Sequence, residues 1–284
     1  MTSPSHKAGF VNILGKPNVG KSTLMNILVG ERLSIVSSKA QTTRHRILGL
    51  INTEEYQIVF SDTPGMLKPK YELHKSMMGF VHLTLEDADV IVFVTDLFES
   101  DEEIEEVIQK INASGAPILL VINKIDLAKE GQLEEVTAYW TARIQAATVI
   151  PISALEKFNT ERILQEIVER LPVHPPFYDK EELTDRPERF FASEIIREKI
   201  FTNYKKEIPY SVEIETEEFF EDEDIIRIRA VIMVERDSQK GIIIGQFTLE
   251  EYHSYRSKSA ALNKRMMQML IQRYQSQIQL FEIP

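Results

Sequence analysis

One eight-residue segment near the start of the chain combines glycines, a lysine and a serine at a spacing suited to phosphate binding. Gly15-Lys-Pro-Asn-Val-Gly-Lys-Ser22 matches G-x-x-x-x-G-K-[ST] and lies between a predicted strand and a predicted helix. Its glycines let the backbone curl, so that successive N–H groups face a phosphate at the amino end of the helix. Lys21 is predicted to contact the β- and γ-phosphates and Ser22 to bind Mg²⁺. The other predicted phosphate-loop contacts are Gly15, Asn18, Val19, Gly20 and Thr23.

A second motif predicts which purine is bound. Asn123-Lys-Ile-Asp126 follows the predicted strand Ile118–Ile122. Guanine presents N1–H and 2-amino donors side by side, and one carboxylate accepts both, whereas adenine has an acceptor at N1 and no amino group at C2. Asp126 is therefore the predicted guanine reader. Asn123 is expected to brace the loop and the N7 edge, and the Lys124 stem to cover one face of the ring. The pocket is completed by Ser153, Ala154 (N–H to guanine O6) and Leu155.

Two further segments are placed to sense the γ-phosphate. Asp62-Thr-Pro-Gly65 follows the predicted strand Ile58–Phe60, with Asp62 acting on the magnesium shell and the Gly65 N–H on the γ-phosphate. In Gln41-Thr-Thr-Arg44, Thr43 is the predicted second hydroxyl on Mg²⁺, and Thr42 is its alternative. The predicted magnesium ligands are Ser22, Thr43 and Asp62, and the predicted catalytic residues are Lys21, Thr43 and Gly65.

The residue after Gly65 is Met66, where many signalling GTPases place a glutamine that orients the attacking water. Methionine has no donor for that task. The sequence therefore predicts GTP hydrolysis with slow intrinsic turnover, in which the backbone, another side chain or a partner positions the water.

These motifs require a scaffold of alternating strands and helices. Five short apolar runs are predicted strands: Phe10–Leu14, Ile58–Phe60, Val90–Val94, Ile118–Ile122 and Val149–Ile152. Segments of helical spacing lie between and after them: Ser22–Val29, Tyr71–Ala88, Asp101–Ala113, Leu133–Ile144 and Thr160–Leu171. This alternation predicts an α/β fold, a doubly wound and mostly parallel sheet.

The chain of 284 residues is long enough for two domains. Four prolines in residues 172–187 interrupt the periodicity. The predicted divisions are a GTPase domain at 1–172, a linker at 173–188 and a smaller α+β domain at 189–284. In the last of these a helix is predicted at Arg189–Glu207, followed by strands at Tyr210–Thr216 and Ile225–Glu235. The acidic stretch Glu213–Asp224 is expected to be a solvated hairpin loop. Segments 260–274 and 278–283 are expected to form a final helix and a final strand.

The amino-acid composition limits the expected cellular location and the expected binding partners. The chain has no cysteine, which suits a reducing compartment, and its longest apolar runs fall far short of a membrane span. The cytoplasm is the predicted location, and no transmembrane segment is expected. Taken alone, the net charge of −11 argues against binding to nucleic acid. Outside residues 213–224, however, segment 189–284 carries 14 basic residues against 8 acidic ones.

Five segments together narrow the assignment: residues 15–22, 40–46, 62–65, 183–191 and 234–245. In this order they resemble the Era family of bacterial GTPases over about residues 8 to 245. The resemblance implies a KH-type C-terminal domain that binds the 3′ region of 16S ribosomal RNA, and a role in small-subunit maturation. It also implies GTP, GDP and Mg²⁺ as ligands and a potassium ion near Asn18, and it leaves peripheral contact with the inner membrane open. Gly245 and Lys240 are the expected RNA contacts.

The chain departs from that family pattern after Gly245. The family continues with a Gly-Lys-Gly-Gly turn that clamps nucleic-acid backbone, whereas this chain has Gly245-Gln-Phe-Thr248. The side chains of Gln246, Phe247 and Thr248 would occupy space that the phosphates need. We therefore expect a weakened clamp with poor sequence selectivity.

Two alternatives to an RNA-binding GTPase follow from the same residues. The acidic stretch and the missing glycines favour a regulatory GTPase whose second domain binds a protein. A metabolic P-loop kinase is the other alternative, and it has little support because the segment from Asn123 to Asp126 specifies guanine.

Overall fold

The computed structural model describes residues 6–37, 39, 42–66, 79, 85, 87–98, 104–221 and 226–246. The chain forms two compact units, Met1–Asp185 and Arg186–Pro284. The predicted helix Tyr71–Ala88 falls almost entirely outside the described residues, and the helix and strand expected at 260–274 and 278–283 lie wholly outside them. Among the described helices, none is long and apolar enough to cross a membrane.

The first unit contains a six-stranded sheet in the order β2-β3-β1-β4-β5-β6. Its strands are β1 (Lys7–Leu14), β2 (Ile47–Asn52), β3 (Tyr56–Asp62), β4 (Val90–Asp96), β5 (Ile118–Asn123) and β6 (Thr148–Pro151). Every pairing is parallel except that of β2 with β3. The predicted mostly parallel α/β fold is confirmed.

Four described helices belong to this unit: α1 (Lys21–Val29), α2 (Glu105–Ala113), α3 (Gln132–Thr141) and α4 (Thr160–Arg170). All residues of β4 and β5 are buried, so both faces of the central sheet are covered, as the continuous apolar runs predict. One face packs on α2 and α3 through a core that includes Phe93, Ile108 and the fully buried Trp140.

Strand β2 was missed by the sequence analysis. Its apolar residues Ile47, Leu48 and Leu50 are buried, although Gly49 interrupts the run. A Cβ at Gly49 would lie 2.9 Å from the Met25 and Val29 side chains of α1, so a larger residue would displace them. The antiparallel strand therefore sits close against α1.

The predicted linker packs on the first unit. The Leu50 N–H of β2 donates to Leu183 O (2.9 Å), and Leu48 N–H donates to the Asp185 carboxylate (3.2 Å). Segment 173–185 thereby covers the free edge of β2, which would otherwise expose unpaired backbone groups.

The second unit contains α5 (Glu188–Asn203), β7 (Val212–Glu221), β8 (Ile226–Val234) and α6 (Asp237–Gln246). β7 and β8 form an antiparallel pair. The hydrophobic core of this unit includes Ile200, Tyr204, Val212 and Ile243. This part of the chain is the expected α+β domain.

β7 and β8 correspond to the strands predicted at Tyr210–Thr216 and Ile225–Glu235. In β7, Val212 and Ile214 are buried, whereas Glu213 and Glu215 are exposed, which is the period of two of a half-buried strand. β7 continues to Glu221, so the prediction of the acidic stretch Glu213–Asp224 as a hairpin loop was wrong for its described part. Residues 222–224 of this stretch lie outside the described structure.

Candidate nucleotide site

The phosphate-binding segment joins the carboxyl end of β1 to the amino end of α1. Its backbone takes positive φ at Asn18 (67°) and Gly20 (101°). A Cβ at Gly20 would lie 2.2 Å from Asn123 Nδ2, so no other residue fits there. The resulting curl leads directly into the first turn of α1, where free N–H groups and the helix dipole attract anions.

The side chains of this segment divide between core and surface. Val19 is buried, and Asn18 is exposed at the tip of the loop. Lys21 is also buried, and its Nζ donates to Lys16 O at 2.7 Å. Its ammonium therefore lies within the curl of the loop, where the sequence motif requires it.

Three side-chain oxygens from different parts of the chain converge beside Lys21. Ser22 Oγ donates to Asp62 Oδ2 at 2.8 Å and lies 3.0 Å from Thr43 Oγ1. Thr43 Oγ1 in turn donates to Asp62 Oδ2 at 3.3 Å. The three predicted magnesium ligands thus form one cluster at the end of β3. It is the Thr43 hydroxyl, rather than that of its alternative Thr42, for which the structure shows contacts in this cluster.

The Asp62 carboxylate is fully buried, and its Oδ1 has no hydrogen-bond partner among the described residues. Burial raises the pKa of this carboxyl, against the opposing effects of the Lys21 charge and of the Ser34, Ser22 and Thr43 hydroxyls. A desolvated carboxylate with an unused oxygen and two neighbouring hydroxyls is a donor set that fits a hard cation such as Mg²⁺.

The segment after Asp62 lies against the phosphate loop. A Cβ at Gly65 would come within 2.6 Å of Pro17 N, so only glycine permits this approach. Met66 N–H donates to Gly15 O at 3.0 Å, and the Met66 side chain is buried in the core with Leu14 and Phe93. The side chain at the position of the usual catalytic glutamine is therefore part of the hydrophobic core.

The predicted base pocket lies across the sheet, at the ends of β5 and β6. Asn123 Nδ2 donates to Val19 O (2.8 Å), and Asn123 Oδ1 accepts the Ala154 N–H (2.9 Å). One amide thus joins the phosphate loop to the loop after β6, which is the bracing expected of it. A bond from the Ala154 N–H to guanine O6 would have to be shared with Asn123.

The remaining predicted base-pocket residues differ in exposure. Asp126 is exposed in a short 3₁₀ turn after β5, and Leu155 is 76% exposed. Ser153 is buried, and its N–H and carbonyl pair with Phe158 across a tight loop. Asp126 and Leu155 are therefore available to a ligand, whereas Ser153 acts by fixing the loop.

The two expected RNA contacts both lie on α6. Lys240 is half-buried in its first half, and Gly245 belongs to its last turn. Five residues on an α-helix correspond to a rotation of about 140°, so the two positions lie on different faces. Residues 247 and 248 of the substituted turn lie outside the described structure.

Comparison with known proteins agrees with this architecture. The family of 50S ribosome-binding GTPases matches residues 10–124, and the KH domain family matches residues 207–247. GTPase Era of Geotalea daltonii is 47% identical over 249 residues, which cover 87% of this chain and 84% of that protein. The chain belongs to the Era family of GTPases. It binds GTP and GDP and hydrolyses GTP.

Two solved structures of Era resemble the whole chain. One is Era in complex with MgGDPNP and nucleotides 1506–1542 of 16S ribosomal RNA, with 35% identity and a TM-score of 0.83 over 97% of this chain and 92% of that one. The other is a variant of Aquifex aeolicus Era bound to GDP·AlF₄⁻, with 34% identity and a TM-score of 0.85 over 97% of this chain and 93% of that one.

In this Era family member, Asp96 lies beside the predicted base pocket but was not among the predicted site residues. Asp96 is the last residue of β4, in register with Asn123, and its carboxylate contacts Lys124. Its sequence position could have indicated a role, because Asp96 is a polar residue just after the apolar run Val90–Val94. The carboxyl ends of parallel strands meet at the ligand-binding edge of such sheets.

Proposed function

We propose that this Era family GTPase is a nucleotide-switched factor that binds 16S ribosomal RNA and assists maturation of the small ribosomal subunit. The observation that carries the proposal is the convergence of Ser22, Thr43 and Asp62 beside Lys21, in a chain that also matches a KH domain. The Era complex with MgGDPNP and 16S ribosomal RNA supports the same pairing of ligands.

In the proposed site the phosphate loop receives the β-phosphate, and Lys21 neutralises charge on the β- and γ-phosphates. Ser22, Thr43 and Asp62 would hold Mg²⁺, which supplies further positive charge to the phosphates when bound. The fit rests on the unused Asp62 Oδ1 and the hydroxyls around that carboxylate. Positive charge fixed in advance is the main contribution that a protein makes to phosphoryl transfer.

Thr43 and Gly65 act as the sensors of the γ-phosphate. Thr43 belongs to the segment before β2, and Gly65 directly follows β3, so both are close to the phosphate loop but on different elements. A γ-phosphate that attracts the Thr43 hydroxyl and the Gly65 N–H would order both segments, and hydrolysis would release them. This difference is the proposed switch.

Base selection is assigned to the pocket at β5 and β6. Asp126 accepts the two guanine donors, Lys124 and Leu155 lie against the ring, and Asn123 holds the two loops together. Asp126 would be selective because a bound base covers its carboxylate, and a purine without the two donors would then leave its acceptors unpaired.

A potassium ion beside Asn18 is a further proposal, drawn from the family resemblance and from the exposed position of Asn18 at the loop tip. Such an ion would add positive charge where other GTPases use an arginine. GTP turnover is expected to be faster in potassium chloride than in sodium chloride at equal ionic strength. Equal rates in the two salts would exclude the ion. Peripheral contact with the inner membrane stays a prediction.

The second domain is assigned to RNA through α6 and its Lys240. A protein partner is favoured instead by the exposed carboxylates of β7, including Glu213 and Glu215, which would repel phosphates. These two functions predict different ligands for the same purified chain.

Sedimentation with ribosomal subunits tests the proposed function. The full chain with Mg²⁺ and GDPNP is expected to co-sediment with immature small subunits and to remain unbound with GDP. A Lys21→Ala variant is the control, because it loses the phosphate contact but keeps the second domain. Binding that is equal with both nucleotides, or binding that persists after removal of the RNA by nuclease, would reject the proposal and favour a protein partner.

A further inference from the structure

A carboxylate outside the predicted site lies next to the guanine-reading segment. Asp96 ends β4 beside Asn123, which ends β5, and it is only 7% exposed. Asp96 Oδ2 accepts Lys124 Nζ at 2.5 Å, and Asp96 Oδ1 accepts the Phe98 N–H at 2.9 Å. Both oxygens of this carboxylate are therefore engaged by groups at the edge of the base pocket.

Lys124 has a constrained backbone but a long side chain. Its φ of 63° lies in the left-handed region, which directs the side chain differently from its strand neighbours. The Lys124 side chain is 32% exposed, whereas the Asp96 side chain is almost fully buried. A lysine stem of this exposure has many rotamers, and their loss on binding a base costs free energy. A carboxylate fixed on the adjacent strand restricts the stem before the base arrives.

A second side chain connects the same two segments. Gln132 Nε2 donates to Leu97 O at 3.0 Å, and Gln132 Oε1 accepts the Lys129 N–H at 3.1 Å. The turn after β4 is thus held both to Lys124 and to the backbone that follows Asp126. The position of Asp96 is therefore fixed from both sides.

We propose that Asp96 is a positioning residue for nucleotide binding, which holds the Lys124 stem against the face of the guanine ring. The inference rests on the proposed assignment of the segment from Asn123 to Asp126 to the base pocket. Guanine and xanthine present similar ring faces to Lys124. Loss of the Asp96 carboxylate should therefore weaken both nucleotides equally, whereas Asp126 determines the preference between them.

The test is the dissociation rate of a fluorescent GDP from the full chain carrying Asp96→Asn. We expect the rate to rise about tenfold, the equivalent of about one charge-assisted hydrogen bond. The effect should appear in KM for GTP rather than in kcat. The matched control is Asp89→Asn, whose carboxylate accepts the Phe10 N–H (2.8 Å) at the other end of β4 and should leave the rate unchanged.

A double-mutant cycle separates positioning from general damage. Lys124→Met keeps the apolar stem and removes the charge, so adding Asp96→Asn to it should produce no further rise in the rate. Asp96→Ser, which retains an acceptor for the Phe98 N–H, replaces the asparagine if that variant fails to fold. An unchanged rate in the folded single variant, or additive effects in the cycle, would overturn the proposal.

The proposed base pocket has its own test, Asp126→Asn. If that variant exchanges guanine for xanthine while Asp96→Asn has no effect, only the role of Asp96 is rejected. If Asp126→Asn leaves the preference for guanine intact, the base pocket itself is wrongly assigned, and the role of Asp96 is rejected with it.

Discussion

Among single residues, we propose that Asp126 selects guanine through its exposed carboxylate. An Asp126→Asn variant should prefer xanthine, because the amide can donate to the 2-oxo group that replaces the 2-amino group. We expect GTP affinity to fall about 100-fold, as for loss of two charge-assisted hydrogen bonds. Competition between GTP and XTP measures the preference. Asp179→Asn, in the linker, is the control, and equal GTP affinity in mutant and wild type would remove Asp126 from the pocket.

Met66 is not expected to take part in GTP hydrolysis. Its side chain is 1% exposed in the core, and it has no hydrogen-bond donor that could orient water. Met66→Leu should therefore keep the wild-type rate of single-turnover GTP hydrolysis, which is slow in both. Met66→Ala should lower the free energy of unfolding by about 2–5 kcal/mol through the cavity it creates. A severe loss of hydrolysis in Met66→Leu at unchanged GTP affinity would assign Met66 a direct part in the chemistry.

The spacing of sequence motifs predicted most residues of the candidate nucleotide site. Lys21, Ser22, Asp62 and Asn123 each lie at the end of a predicted strand or the start of a predicted helix, and such ends meet at one edge of a parallel sheet. Asp96 also follows an apolar run, but its ion pair is with a residue 28 positions away in the chain, and the local sequence does not encode that partner.

At the scale of elements, the linker and the sheet edge depend on one buried side chain of β3. Gln57 is fully buried and donates to Tyr178 O at 2.9 Å, and its Oε1 accepts the Phe177 and Tyr178 N–H groups. Its other donor contact is Asn52 Oδ1, at 2.7 Å. The amide thus fastens the linker to the edge that contains β2 and β3.

Gln57→Leu keeps the approximate volume of this side chain but leaves partly buried backbone groups of the linker without their partner. We expect the free energy of unfolding to fall by about 2–4 kcal/mol and proteolysis within residues 173–185 to become faster. Denaturant unfolding and limited proteolysis measure the two effects. The exposed Gln145→Leu is the matched control. Unchanged stability together with unchanged cleavage would show that Gln57 does not hold the linker.

Most strands were predictable from the local pattern, whether their burial is continuous or alternates. The apolar runs of β4 and β5 were found directly from the sequence, and the strands predicted at Tyr210–Thr216 and Ile225–Glu235 correspond to β7 and β8. β2 was hidden by its central Gly49, and the full length of β7 was hidden by the glutamates at Glu217 and Glu218. In both cases the decisive information is the pairing with a neighbouring strand, which the local sequence does not contain.

For the whole molecule, the question is whether the nucleotide controls RNA binding. Segment 245–248 replaces the family's glycine-rich turn, so phosphate contacts there should be weak, while nearby basic residues such as Lys240 still attract RNA. Restoring Gly-Lys-Gly-Gly at 245–248 is expected to raise selectivity for the 16S 3′ end only in part, because the sequence after 248 also departs from the family. Fluorescence anisotropy with matched and scrambled oligonucleotides measures the gain, and an unchanged ratio would exclude the turn as the cause.

Control of RNA binding by the nucleotide is tested by the affinity of the unmodified chain for a 16S 3′-end oligonucleotide at physiological salt, with Mg²⁺ and either GDPNP or GDP. We expect tighter binding with GDPNP, loss of this difference in Lys21→Ala, and a modest preference over a scrambled sequence. Equal affinity with the two nucleotides would contradict nucleotide control, because the site formed by Ser22, Thr43 and Asp62 would then have no influence on RNA binding.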